Sequence, residues 1–293
     1  MVLMFMGFSI IIPACNEEGA ISSVLLSMVT ELNKLGQPYE IIVVNDCSTD
    51  RTRDEVIASG LSITLLDHLE NMGYGAAIKT GIKKAKYDLI VITDADGTYP
   101  VKMIPELVNT AIQENHDMVV GARTGLNVNI PFIRKPAKWV IGQLANYLSG
   151  VKIPDINSGL RVMKKSILER YIKILPDGFS LTSTITLAML TNGHSVKYIP
   201  IDYYKREGKS KIRPIQDTFN FIQLIIRTVL YFNPLKIFVP LSCFLVLLAF
   251  FVLVGSKLFL GRAMDVSFGV ILMAAVMVMA IGMLADLIDK RLS

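Results

Sequence analysis

From Asn233 onward the chain is almost unbroken Leu, Val, Phe, Ala and Met, and nothing before about Arg213 resembles it. Two apolar spans lie there, about Leu235–Leu253 and about Val266–Leu284. Each is close to the roughly 20 residues that carry a helix across a bilayer. The connecting Gly255–Asp265 is short, so the pair is predicted to form a hairpin in a membrane. Two buried core helices are the alternative. The residues before this tail are punctuated by Gly, Asn, Asp and Lys, as in a soluble domain. The chain of 293 residues therefore divides into a large soluble-type domain and a small membrane appendage.

Charge patterning orients the hairpin. Arg227 and Lys236 flank its entry, Lys290 and Arg291 its exit, and Lys257 and Arg262 its connection. The bias favours both ends inside, with the large domain cytoplasmic. Between the two regions, Ile215–Phe232 mixes Gln216, Asp217, Asn220, Gln223 and Arg227 with apolar residues, which predicts an amphipathic helix at the interface. Pro136–Leu148, with Lys138 and Trp139, is either a second such element or an ordinary packed helix. The net charge of +5 suits anionic lipid, nucleic acid or a phosphate-bearing substrate. Lys205, Arg206, Lys209, Lys211 and Arg213 cluster just before the tail, which favours lipid or phosphate over nucleic acid. No pattern of a nucleic-acid reader is evident. Cys15, Cys47 and Cys243 lack metal-like spacing and point to a reducing compartment without a disulfide framework. Met1–Ile12 lacks a basic leader and a cleavage site, so it reads as the approach to a first core strand.

The first two hundred residues alternate two patterns. Phe8–Ile12, Ile41–Asn45, Ile63–Leu66, Leu89–Thr93 and Met118–Gly121 are short unbroken apolar runs, which suit strands buried on both faces. Ile21–Leu35, Arg51–Ala58, Ala76–Ala85 and Val101–Asn115 are helical stretches between them. The alternation predicts an α/β domain built on a mostly parallel sheet. Ligands bind such sheets beyond the carboxyl ends of the strands. Three of these runs end in polar residues, at Pro13–Glu17, Asn45-Asp46 and Asp94-Ala95-Asp96, and these should converge on one crevice.

Asp94 and Asp96 offer two hard oxygen ligands at a strand end. That donor set suits Mg²⁺ or Mn²⁺, with a diphosphate and water completing the shell. A turn or a helix cap explains most isolated Asp-x-Asp pairs, but the run Leu89–Thr93 places this pair where a sheet crevice opens. Asn71–Ala76 is a glycine-rich turn before a helix, and Gly73 within it reads as part of either a phosphate cradle or a plain tight turn. Asp46 could cap the helix beginning near Arg51, a job for which Asp50 is better placed. His68, His116 and His194 lie outside every motif and read as structural or solvated.

The runs Ile11–Glu18, Val43–Asp50, Asn71–Ala76 and Asp94-Ala95-Asp96, in this order, resemble the signature of family-two glycosyltransferases. Asp155–Arg161 and Gly208-Lys209-Ser210-Lys211 extend the match toward the polyprenyl-phosphate glycosyltransferases, over roughly residues 8–212. The resemblance implies a GT-A catalytic domain at 1–212, an amphipathic juxtamembrane helix at 213–234 and a hairpin at 235–293, with spans at about 235–254 and 266–285. It further implies inverting transfer of a hexose from a UDP- or GDP-linked sugar to a polyprenyl phosphate. Pro13, Asn16 and Glu17 would then lie at the nucleoside and Asp46 at the base. Asp94, Ala95 and Asp96 would hold metal and diphosphate, Asp96 acting in catalysis. Arg123 and Arg134 would approach the acceptor phosphate, Ser158 and Arg161 would line the same pocket, and Lys205, Arg206, Ser210 and Lys211 would clamp phosphates. An acceptor that is already a phosphate needs little deprotonation, so no His base is expected.

Two positions depart from the pattern. Gly97-Thr98 replaces the Leu-Gln pair of many lipid-phosphate mannosyltransferases, and Lys205 stands where an arginine commonly precedes the Gly-x-Ser-Lys motif. The broader group is therefore expected rather than mannose transfer in particular. A processive polysaccharide synthase would need a Gln-x-x-Arg-Trp motif, yet the only tryptophan, Trp139, follows Lys138. A family-two transferase with a non-lipid acceptor and an inactive membrane scaffold are the alternatives. Homo-oligomerisation is left open.

Overall fold

The computed structural model describes residues 7–125, 142–143, 145–147, 150–204, 226, 230, 233–261 and 264–292. Two compact units are found, residues 1–222 and residues 223–293. The first is built on strands β1 (Phe8–Ala14), β2 (Tyr39–Asn45), β3 (Thr64–Asp67), β4 (Leu89–Ile92), β5 (Met118–Ala122), β6 (Arg161–Lys164) and β7 (Val196–Pro200). They form one sheet in the order β3-β2-β1-β4-β6-β5-β7. Every pairing is parallel except the two made by β6. The five predicted strands are all present, each shifted by a residue or two. The sheet is mostly parallel, as expected, with one strand running backwards.

Among the described residues, the helices that cover the sheet are α1 (Ile21–Leu32), α2 (Thr52–Ala58), α3 (Tyr74–Lys84), α4 (Ile104–Gln113), α5 (Lys165–Tyr171) and α6 (Leu181–Thr191). Period-two alternation in the buried strands divides their side chains between two cores. Phe8, Ile10 and Ile12 of β1 pack with Leu25 and Met28 of α1 and with Leu107 and Val108 of α4. Ile11, from the opposite face, joins Ile78 of α3, Leu168 of α5 and Ile185 of α6. Each fully buried side chain of this size is worth roughly 1.5–3 kcal/mol, so the doubly covered central strands anchor the domain. The four predicted helices keep their positions, two of them with frayed ends: Asn33–Leu35 and Val101–Met103 are 3₁₀ turns rather than α-helix.

The second unit holds α7 (Leu235–Leu260) and α8 (Asp265–Leu292), which pack as a hairpin. Ser242 Oγ donates to the Ala275 carbonyl (2.9 Å), Phe250 meets Phe268 edge-on at 5.5 Å, and the Met264 amide donates to Ser256 Oγ (3.1 Å). Both helices are long and apolar enough to cross a membrane, with only 11% of each apolar window buried. The expected connection at Gly255–Asp265 is corrected: Gly255–Leu260 are helical, and the helix stops at Gly261, whose φ of 66° is the left-handed C-terminal stop. A single glycine within a long apolar helix costs too little to end it. The predicted amphipathic helix at 215–232 and most of Pro136–Leu148 lie outside the described residues.

Candidate active site

Parallel pairing puts the carboxyl ends of β1, β2, β4 and β5 on one edge of the sheet. Because β6 is antiparallel, its amino end joins them: Arg161 pairs with Ile92, the last residue of β4. The loop Asp155–Leu160 is thereby delivered beside Asp94 and Asp96. Pro13 sits in β1 at little cost to the sheet. The Thr93 amide donates to the Ile11 carbonyl (3.3 Å), so odd residues of β1 face β4, which has ended before Pro13 is reached.

Both aspartates are held in place. The Tyr74 hydroxyl donates to Asp94 Oδ1 at 3.0 Å, and a Cβ on Gly159 would lie 2.9 Å from both carboxylate oxygens of Asp94. Only glycine allows the β6 approach loop to come so near. The Gly159 amide in turn donates to the Tyr99 hydroxyl at 2.6 Å. Asp96, 8% exposed, accepts at Oδ1 from the Thr98 amide (3.1 Å) and the Thr98 hydroxyl (2.6 Å). Burial, then the Asp94 charge, push the Tyr74 hydroxyl well above its ordinary pKa, so it stays a donor. Among the described residues, no third His, Cys, Asp or Glu completes a metal-binding cluster with the pair. Two hard carboxylates nevertheless fit a cation such as Mg²⁺, which is ordinarily held by one or two carboxylates together with water and substrate phosphates. Ala95, between them, is buried.

Asp46, at the end of β2, is 3% exposed. Its Oδ1 accepts from the Met72 amide and pairs with His68 Nδ1, both at 2.8 Å, and its Oδ2 accepts from the Gly73 amide at 2.8 Å. The Gly75 and Ala76 amides donate to the Asp177 carbonyl at 2.7 and 3.1 Å. The Met72, Gly73, Gly75 and Ala76 amides are thus engaged within the protein, as in a tight turn. Gly73 is required there: its φ is 98°, and a Cβ would lie 2.6 Å from the Asp177 carbonyl oxygen. Asp50, not Asp46, serves the start of α2, accepting from the Thr52 amide at 2.9 Å. His68 is structural as read, but it bears directly on Asp46; its Nε2 is 2.9 Å from Thr80 Oγ1.

Arg123, just after β5, forms a two-pronged pair with Asp155 through Nε (2.7 Å) and Nη2 (2.9 Å), and its plane covers Tyr203 at 5.1 Å. Ser158 is fully buried, donating to the Gly121 carbonyl at 2.5 Å. Arg161 is also fully buried. It donates to the Ser158 carbonyl (3.0 Å from Nε), the Thr182 carbonyl (3.0 Å) and Thr186 Oγ1 (3.0 Å). Ser158 and Arg161 are thus packed beneath the strand ends rather than lining an open pocket, and Arg123 is engaged by a carboxylate. The reason is local: a loop that returns antiparallel into the sheet needs its carbonyls satisfied, and arginine supplies the donors.

Asn16 (φ 58°) is exposed, and its Oδ1 accepts from the Thr49 amide at 2.7 Å. The Glu17 amide donates to Thr52 Oγ1 at 2.7 Å. The β1 and β2 exit loops are therefore laced together at the crevice mouth. Arg134, Lys205, Arg206, Ser210 and Lys211 lie outside the described residues. Tyr204, which precedes the basic segment, donates its amide to the Thr98 carbonyl at 2.9 Å. Sequence reading missed Tyr74, Tyr99 and Asp155. Asp155 could have been found as the one carboxylate in a motif otherwise rich in small residues and ending in arginine; an aromatic hydroxyl within a helix start carries no such signal.

A mostly parallel mixed sheet flanked by helices, with an Asp-x-Asp pair at the end of a central strand, is the GT-A-like arrangement that the sequence led one to expect. Residues 9–172 match glycosyl transferase family 2, and the chain belongs to that family. A dolichyl-phosphate hexose transferase of Haloferax volcanii is 27% identical over 211 residues, 72% of this chain and 88% of that protein. The dodecaprenyl-phosphate galacturonate synthase of Rhizobium johnstonii is 26% identical over 228 residues, covering 76% of this chain and 66% of that protein. In fold, the chain is similar to glucosyl-3-phosphoglycerate synthase from Mycobacterium tuberculosis, solved with Mn²⁺, UDP and phosphoglyceric acid. That likeness has a TM-score of 0.61 at 20% identity and covers 76% of this chain and 78% of the other.

Proposed function

We propose that this chain transfers a sugar, with inversion, from a nucleoside-diphosphate sugar to a polyprenyl phosphate at the cytoplasmic face of a membrane. The observation that carries the reading is the fixed pair Asp94 and Asp96 in a chain that also has two bilayer-length helices. The names of the relatives support it: their acceptors are dolichyl and dodecaprenyl phosphate, whereas their sugars differ. The acceptor class is therefore proposed and the sugar is not. The domain limits are those read from the sequence, with residues 1–212 catalytic, 213–234 juxtamembrane and 235–293 anchoring.

In this reading Pro13, Asn16 and Glu17 face the nucleoside, while Asp46 and Gly73 shape the turn beside it. Asp94 and Asp96 hold Mg²⁺ or Mn²⁺ with the diphosphate. That cation would offset the charge growing on the departing nucleoside diphosphate. An oxygen of the acceptor phosphate attacks the anomeric carbon from the opposite side, and the bond to the diphosphate breaks with its electron pair leaving on oxygen. No proton has to move, since the acceptor is already anionic. Two anions must instead be held close together, a task assigned to Arg134, Lys205, Arg206, Ser210 and Lys211. The bond from Tyr204 to Thr98 supports this role, because it starts the basic segment beside the Asp96 loop. Arg123 and Arg161 act one step removed, fixing the Asp155–Ser158 loop.

The test supplies membranes bearing the full chain with radiolabelled UDP- and GDP-sugars and follows label into extracted lipid. Label should appear with one donor class and fall to background in Asp96→Ala. Absence of lipid label with every donor, or its persistence in that variant, would overturn the reading.

A further inference from the structure

Two hydroxyls that were given no role in the sequence reading touch the acidic pair, one on each carboxylate. Tyr74 sits in the first turn of α3 and reaches Asp94 Oδ1 at 3.0 Å. Thr98, fully buried, reaches Asp96 Oδ1 at 2.6 Å and adds its own amide at 3.1 Å. Both are locked from behind. The Tyr74 ring stacks on Phe179 at 5.3 Å, and the turn preceding it is clamped by Asp46 through the Met72 and Gly73 amides. The residue after Thr98, Tyr99, is fastened to the Gly159 amide, and the Thr98 carbonyl to the Tyr204 amide. Neither hydroxyl can swing away without disturbing these contacts.

We propose that Tyr74 and Thr98 are positioning residues that fix the orientation of the Asp94 and Asp96 carboxylates and so set the affinity of the site for a divalent cation. The inference rests on the reading of that pair as a cation–diphosphate site. Two like charges two residues apart repel, and unrestrained carboxylates would turn outward toward water. A hydroxyl donated to one oxygen of each leaves that oxygen partly neutralised and fixes where the other points. Partners of this kind, behind the groups that touch a metal, commonly change affinity by tenfold or more when removed. Thr98 stands where the longer Gln of related transferases would be. Its short side chain cannot reach past Asp96, but it is well placed to hold it.

The experiment measures Mn²⁺ binding by electron paramagnetic resonance on the detergent-purified full chain, with UDP and in parallel with GDP. Tyr74→Phe and Thr98→Val should each weaken Mn²⁺ binding by about tenfold. Thr98→Ser, which restores the hydroxyl, should bind within about twofold of the parent, and Asp96→Ala should bind none. Tyr74→Phe keeps the ring and its stack, so its melting temperature should stay close to the parent's. Parent-like binding by Tyr74→Phe and Thr98→Val, with binding lost in Asp96→Ala, would overturn the positioning role and leave the site reading standing. A Thr98→Ser variant as weak as Thr98→Val would also overturn it, since packing rather than the hydroxyl would then matter. Undiminished binding by Asp96→Ala would instead remove the site on which the proposal rests.

Discussion

Arg161 is a charged side chain with no exposure, and its hydrogen-bond partners are two carbonyls, the Thr186 hydroxyl and the Met118 thioether, all uncharged. Burial pulls its pKa down, yet an arginine keeps its proton. Removing it would take two donors from the buried Ser158 carbonyl, while the Thr182 carbonyl would keep the Thr186 hydroxyl at 2.8 Å. Arg161→Met is expected to destabilise the first unit by about 3 kcal/mol. For a unit of this size that is a fall of roughly 6–12 °C in melting temperature. Arg161→Lys should recover part of the loss, since an ammonium supplies donors but not the fork. Thermal unfolding followed by circular dichroism reads both. Gly73→Ala belongs to the same scale. A φ of 98° and the Asp177 carbonyl oxygen only 2.6 Å from the new Cβ should cost about 1–3 kcal/mol. An unchanged melting temperature for that variant would show that the turn can move.

At the level of elements, Asp117 ties three strands together at the end of the sheet away from the acidic pair. It accepts from Nζ of Lys164, the last residue of β6, at 2.9 Å and from the Ser195 amide at 3.1 Å, before β7, with His194 Nδ1 at 3.3 Å. Burial raises its pKa, but the hydrogen bonds and charge of Lys164 and Ser195 outweigh this and hold it below the ordinary 3.8. A lowered folded-state pKa stabilises the fold above the unfolded value, and this contribution disappears as pH falls through the folded one. The melting-temperature gap between the parent and Asp117→Asn should therefore be present at neutral pH and narrow below about pH 4. A constant gap down to pH 3 would exclude the charge as its source. The same two strands, β6 and β7, were the ones illegible in the sequence. Arg161-Val162-Met163-Lys164 has only two apolar residues between charges, and Val196–Pro200 alternates with Lys197 as half-exposed strands do. Neither carries the buried, unbroken run that betrayed β1, β2 and β4. Asp94 and Asp96 were legible because they directly follow an unbroken apolar strand run. The partners of Arg123 and Arg161 were not, because they depend on a reversal of strand direction that no local pattern encodes.

For the whole molecule, the governing fact is that two paired helices can cover only one face of each other. Phe251 is 73% exposed, Leu258 75% and Val266 81%, and these side chains point away from the partner helix. Water would penalise such a surface, at roughly 25 cal/mol for every Å² of apolar area, whereas a bilayer would not. Helices of 26 and 28 residues rise about 39 and 42 Å, enough for the hydrocarbon core with some tilt. In sequence, Arg227 and Lys236 fall near the start of the first helix and Lys290 and Arg291 near the end of the second, against Lys257 and Arg262 near the connection. Positive charge is retained on the cytoplasmic side, so the open end and the transferase unit are expected there. The proposed reaction draws its nucleoside-diphosphate sugar from that side. A fluorescent-protein fusion after Ser293 should then fluoresce in a bacterial host, and an alkaline phosphatase fused after Gly261 should be active. The reverse pattern would place the acidic pair on the face without donor and would overturn the proposed reaction together with the topology, whereas activity at both positions would mean that the hairpin does not hold one orientation.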